Sequence, residues 1–185
     1  MIYVALLRGI NVGGNNKVDM KKLKITFESL GFTRVETYIN SGNIIFETDK
    51  QNQNTIANEI ETAIKSDFEL AIKVLVRDFT SIKHICEKLP NTWVKNEFMR
   101  TDIMFLWKNM DNPQIIEQLQ LKPVDNVTYI SGALLWNVAD KDYDNSALFK
   151  LVGTKIYKYI TIRNVNTVRK LYQLMLDKKQ QTDLQ

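Results

Sequence analysis

Apolar and polar positions alternate between short β-rich runs and longer amphipathic stretches. Ile2, Tyr3, Val4, Ala5, Leu6 and Leu7 are apolar on both parities, as in a strand covered on both faces. A helix is expected next: Asp19 is its N-cap, Met20, Leu23, Phe27 and Leu30 form one stripe, and Gly31 stops it. Two β-rich runs, residues 35–39 and 44–46, flank Asn40, Ser41, Gly42 and Asn43 and read as a hairpin. Asn54 is placed to cap a second helix through Ile56, Ile60, Ala63 and Ile64. Residues 72–76 then complete a βαββαβ order.

The order begins again further on. Phe79, Ile82, Ile85, Cys86 and Leu89 mark a connecting helix that ends before Pro90, and residues 103–107 form a strand. Pro113 opens a helix capped by Asp111 or Asn112, with Ile116 and Leu119 inward. Residues 127–130 and 134–138 make a second hairpin about Ser131 and Gly132. Asn145 is expected to cap a short helix through Leu148, Leu151 and Val152, ended by Gly153. A last strand, residues 156–162, leads to a helix capped by Asn164 that carries Val165, Val168, Leu171, Tyr172 and Met175.

The hairpins also match in letters, Tyr38-Ile39-Asn40-Ser41-Gly42 against Tyr129-Ile130-Ser131-Gly132. The expectation is an α+β protein of two tandem ferredoxin-like (βαββαβ) units with an extra C-terminal helix. Its boundaries are 1–77 for the first unit, 78–101 for a connecting helix and linker, 102–177 for the second unit and helix, and 178–185 for a frayed polar tail.

Composition narrows the class. Of 185 residues, 44% are hydrophobic and 25% charged, the balance of a soluble globular chain. No apolar run approaches the roughly 18 residues of a membrane span, and no signal-peptide pattern opens the chain. No membrane partner is expected. A single cysteine, Cys86, excludes an internal disulfide and fits the cytoplasm. One His and one Cys leave no metal-ligand cluster, so neither a metal nor another cofactor is expected.

The net charge of +4 is unevenly spread. From residue 146 to 176 there is no acid, while Lys150, Lys155, Lys158, Arg163, Arg169 and Lys170 contribute +6, so the remaining residues sum to −2. Segregated charge of this kind steers anionic partners, although it also describes a plain solvated face.

Candidate chemistry concentrates where the first strand ends. Leu7 runs into Arg8, Gly9, Ile10, Asn11, Val12, Gly13, Gly14 and Asn15, and Lys17 follows. In the expected topology this loop lies beside the first hairpin turn. Arg8 or Lys17 would then converge with Asn11, Asn15, Asn40, Ser41 and Asn43 and with backbone donors of Gly9, Gly13, Gly14 and Gly42. That set can hold a phosphate, a carboxylate or a nucleobase edge. The same glycines can serve simply as turns. The loop carries neither G-x-G-x-x-G nor G-x-x-x-x-G-K-[ST], so no dinucleotide or P-loop site follows.

Arg163 and Asn164 open the last helix, whose N-terminus favours anions, and would assist the first site if that helix docks nearby. A phosphate-bearing small molecule is thus the first expected partner. Nucleic acid is the alternative, through Lys150 to Lys170 with Tyr157, Tyr159 and Tyr172 for stacking. Tyrosines spaced by two can equally pack on one strand face. An open RNA-recognition sheet does not fit, because it needs exposed aromatics on the central strands. A third expectation is a homodimer that buries an apolar sheet face. Catalytic residues stay unknown, and a non-enzymatic role is favoured. His84 lies off its helix's apolar stripe, Cys86 sits on it as a small hydrophobe, and Asp102, Asp140, Asp142 and Asp144 are not paired by spacing.

The segments Ala5-Leu6-Leu7-Arg8-Gly9-Ile10-Asn11-Val12-Gly13-Gly14 and Thr37-Tyr38-Ile39-Asn40-Ser41-Gly42-Asn43 closely resemble the bacterial family catalogued as domain of unknown function 1697. Thr161-Ile162-Arg163-Asn164, with Thr167, Lys170 and Leu171, is similar to its C-terminal motif, although Val165 stands where members commonly carry Trp. The resemblance implies a small cytoplasmic protein of ferredoxin-like α/β units and brings no catalytic residue.

Overall fold

The computed structural model describes residues 1–183. The chain is α+β, with two four-stranded antiparallel sheets. It divides into two compact units, residues 1–82 with 171–185, and residues 83–170.

In the first unit the elements run β1 (Ile2–Leu7), α1 (Met20–Ser29), β2 (Thr33–Tyr38), β3 (Asn43–Glu47), α2 (Gln53–Phe68) and β4 (Val74–Asp78). The strand order is β2-β3-β1-β4, every pair antiparallel. Asp19 caps α1 by accepting from the Lys22 amide at 2.7 Å, and Gly31, at φ +81°, ends it in the left-handed region that glycine favours. The second helix begins one turn-fraction earlier than expected. Asn52, not Asn54, is its cap, accepting from the amides of Asn54 and Thr55, both at 3.0 Å.

Leu23 and Phe27 of α1 and Ile56, Ile60 and Ile64 of α2 cover Tyr3, Ala5, Leu7, Ile44, Phe46, Val74 and Val76 on one sheet face. Each such side chain contributes about 1.5–3 kcal/mol on burial. The rings of Phe32 and Phe46 stack at 4.6 Å in that layer. The opposite face is covered as well: Val4, Leu6 and Ile45 are wholly buried. The central strand is therefore two-sided, as its unbroken apolar run predicts.

A β-bulge in β2 puts Arg34 at φ +48°. Its guanidinium reaches Glu47 on β3 at 2.7 Å and Gln181 at 2.6 Å. Lys178 pairs with Glu36 of the same strand at 2.8 Å. Both partners belong to the final helix, α4 (Val165–Asp183), whose later half joins the first unit. The tail expected to fray from residue 178 is thus helical through Asp183. Residues 184 and 185 lie outside the described residues.

The connecting helix α3 (Phe79–Lys88) ends before Pro90, as expected. It leads to β5 (Met99–Leu106), β6 (Asn126–Ile130), β7 (Ala133–Ala139) and β8 (Ile160–Asn164). The sheet order β6-β7-β5-β8 mirrors the first. The connections differ, for no α-helix joins these strands. The helix expected from Pro113 is a 3-10 segment, Pro113–Gln118, whose cap Asn112 makes no side-chain bond. Pro113 and Pro123 bracket too little chain for a stable helix. The helix expected from Asn145 is also absent, replaced by 3-10 segments Asp140–Asn145, Leu151–Gly153 and Lys155–Tyr159. Leu148 and Leu151 are three apart, a spacing that suits three residues per turn. The last strand accordingly starts at Ile160 rather than Ile156, and Ile156 enters the core. Ile115, Leu119, Leu148, Leu151 and Ile156 take over the covering role of helices above Met104, Leu106, Leu134, Trp136 and Val138.

Candidate functional site

The loop after β1 folds as a miniature hairpin. Val12 bridges Asn15, whose amide donates to the Val12 carbonyl at 3.1 Å, and the Asn11 amide donates to the Asn16 carbonyl at 3.1 Å. The turn between them is Gly13-Gly14 at φ +58° and +80°, the double left-handed conformation that a tight two-residue turn requires. The Asn16 amide group closes the base on the Gly9 carbonyl at 2.9 Å.

Asn11 fastens this hairpin to the rest of the unit. Its Nδ2 donates to the carbonyls of Val18 (3.0 Å) and Asn40 (2.9 Å), and its Oδ1 accepts from the Val18 amide (2.9 Å). The loop and the β2–β3 turn therefore share one edge, as the topology predicts. Gly42 seals the junction. Its carbonyl accepts from the Leu7 amide at 2.8 Å, its φ is +72°, and a Cβ there would lie 2.7 Å from the Leu7 Cβ. Asn43 is wholly buried, donating to the Tyr38 carbonyl (3.2 Å) and the Ser41 hydroxyl (2.9 Å).

The expected residues thus divide by role. Asn11, Gly42 and Asn43 are structural, with Ser41 as a partner. Gly9, Gly13, Gly14, Asn15, Lys17 and Asn40 are exposed. The side chains of Asn15, Lys17 and Asn40 engage no other described residue. Arg8 is half-buried, and its amide donates to the Lys73 carbonyl at 2.9 Å.

Arg163 and Asn164 belong to the second unit. Arg163 is only 8% exposed, with Nη1 donating to Thr161 Oγ1 (3.1 Å) and the Ile162 carbonyl (2.8 Å). Burial pulls its guanidinium down to about 10. The Asn164 side chain accepts from the Thr167 amide at 2.9 Å, so it caps α4. Neither is the open donor expected at a helix start. Tyr157 and Tyr159 lie in a 3-10 segment, not on a strand face, and Tyr157 packs on the core.

Cys86 is half-buried, and its thiol is pushed up to about 11, chiefly by burial, the opposite of an activated nucleophile. His84 is exposed, as expected. The apolar sheet faces that suggested a homodimer are buried within a single chain.

A concavity of about 410 Å³ opens in the second unit, lined by Lys122, Lys150 and Lys155 among others. Sequence reasoning marked Lys150 and Lys155 as part of a basic stretch. It missed Lys122 and the buried Trp136, which lie on other segments of the chain.

The chain belongs to the family described as protein of unknown function (DUF1697), whose model matches residues 1–136. Its structure is similar to that of the conserved bacterial protein SP0830 from Streptococcus pneumoniae. The TM-score is 0.80 at 31% identity, over 94% of this chain and 98% of that one. No curated protein matches. Among the described residues no helix is long and apolar enough to cross a membrane.

Proposed function

We propose that this chain is a binding protein for a phosphate-bearing small ligand, taken up at the exposed loop of residues 9–17 and the turn of residues 40–42. One observation supports the reading: Asn11 ties the glycine loop to the hairpin turn through the Asn40 carbonyl, and Gly13, Gly14, Asn15, Lys17 and Asn40 are exposed. Exposed, pre-shaped loops with unengaged donors suit an anion with several oxygens. The first sheet, with α1 and α2 on it, fits a ferredoxin-like unit, and the second sheet repeats its strand order without the helices. It leaves Arg163 out, because a buried guanidinium is no surface donor.

The test is a calorimetric titration with inorganic phosphate, sugar phosphates and nucleotides. At least one is expected to bind, and Lys17→Gln together with Arg8→Ala should weaken it at least tenfold. Binding that survives both substitutions, or no binding by any of these compounds, defeats the reading.

A further inference from the structure

Five lysines outside the second-unit concavity, Lys24, Lys50, Lys73, Lys83 and Lys178, each pair with a glutamate. Lys122, Lys150 and Lys155 do not. They rim the 410 Å³ groove, none makes an ion pair with any described residue, and no acidic side chain lines the groove. The apolar part of the lining is Leu119, Trp136, Ala147, Leu151 and Ile156, and Gln118, Gln120 and Thr154 are its neutral polar part. The volume falls within the roughly 300–1,000 Å³ of small-molecule sites.

The groove is also fixed in shape, and by a single carboxylate. Asp125 accepts from Trp136 Nε1 (3.0 Å), from the Ala147 amide (3.0 Å) and from the Lys122 amide (2.8 Å), and it also binds the Ser146 hydroxyl. Lys122, Trp136 and Ala147 all line the groove, on three separate segments. One half-buried carboxylate therefore ties three walls together, which limits the ordering cost of binding. Three ammonium groups that line one groove repel one another, and an anion placed among them relieves that repulsion.

We infer that this groove is a binding site for a small organic anion with an apolar body: a carboxylate, sulfonate or phosphate held by Lys122, Lys150 and Lys155 over a hydrophobic portion on Leu119, Trp136 and Ile156. The site is separate from the loop of the first unit and stands or falls independently of it. A bare inorganic anion leaves the apolar lining unused, and a neutral hydrophobe leaves the lysines unused.

The experiment titrates the intact protein with 1-anilinonaphthalene-8-sulfonate and, separately, with the uncharged N-phenyl-1-naphthylamine. The sulfonate is expected to saturate one site and to bind at least tenfold more tightly than the neutral dye. The triple variant K122Q/K150Q/K155Q should lose at least tenfold of the sulfonate affinity and keep its affinity for the neutral dye. The matched variant K21Q/K65Q/K88Q, with the same loss of charge elsewhere, should keep both. Near-ultraviolet circular dichroism confirms that each variant retains native packing around its tryptophans. Equal affinity for the two dyes, unchanged sulfonate binding in the first variant, or equal loss in the second overturns the assignment.

Discussion

Two aspartates of the second unit, Asp102 and Asp125, show how placement alone reverses the meaning of one side chain. Burial raises both. At Asp125 it is outweighed by four donors, from Ser146, Ala147, Lys122 and Trp136, so its carboxyl ends below the ordinary value. At Asp102 burial is opposed only by the charges of Lys95 and Arg100, and no described residue donates to it. Burial therefore wins, and its carboxyl lies above 3.8. An acid with a raised folded value favours the folded state when protonated. It thus costs stability at every pH above that value, and the cost vanishes below 3.8. Asp102→Asn is accordingly expected to raise Tm at pH 7. The gain should shrink as pH falls through the raised value. Thermal melts of both proteins from pH 7 to pH 3 check it, and a gain that is constant or grows toward acid contradicts it. Neither role was legible in the sequence. The letters Asp102 and Asp125 carry no sign of which carboxylate meets four donors, because Ser146 and Trp136 lie far along the chain.

At the scale of elements, the first unit was legible where local chemistry and long-range packing agree. Asp19 caps the start of α1, Gly31 follows its C-cap Leu30 in the left-handed region, and the apolar run of β1 is buried on both faces. The second unit was legible in its strands and not in its connections. There Pro113, Pro123 and the Asp- and Asn-rich residues 140–145 compete with helix formation, and three-residue apolar spacing settles for 3-10 turns. The candidate loop was half legible. Its nearness to the hairpin turn follows from strand order, yet the use of Asn11 and Asn43 as internal clamps depends on carbonyls that composition does not reveal. The clamp makes a sharp prediction at Gly42. A Cβ there meets Leu7 Cβ at 2.7 Å and Ile10 Cδ1 at 2.9 Å, while φ +72° strains any L side chain. Gly42→Ala should cost about 2–4 kcal/mol, the sum of backbone strain and overpacking. Gly13→Ala meets no atom within 4 Å, so only its φ is strained and its cost should be smaller. Urea denaturation of the two variants ranks them, and a larger loss at Gly13 would refute the clamp.

At the scale of the molecule, the first unit is discontinuous: residues 1–82 group with the later part of α4, from residue 171 on. Leu171 and Met175 of that segment are wholly buried, Lys178 is held by Glu36, and Gln181 by Arg34. Burial of the two apolar side chains alone contributes about 1.5–3 kcal/mol each, a sizeable part of the 5–15 kcal/mol that separates a folded domain from its unfolded chain. The ion pair adds less, since its glutamate is 41% exposed and surface pairs bring about 1 kcal/mol at most. A chain ended after Lys170 should therefore lose amide-exchange protection throughout β1, β2, β3 and β4. Adding a synthetic peptide of residues 165–185 should restore that protection, because the missing contacts are side-chain burial and not chain continuity. If the truncated chain instead keeps its β1 amides protected, the first unit closes without the last helix, and Leu171 and Met175 contribute little to its stability.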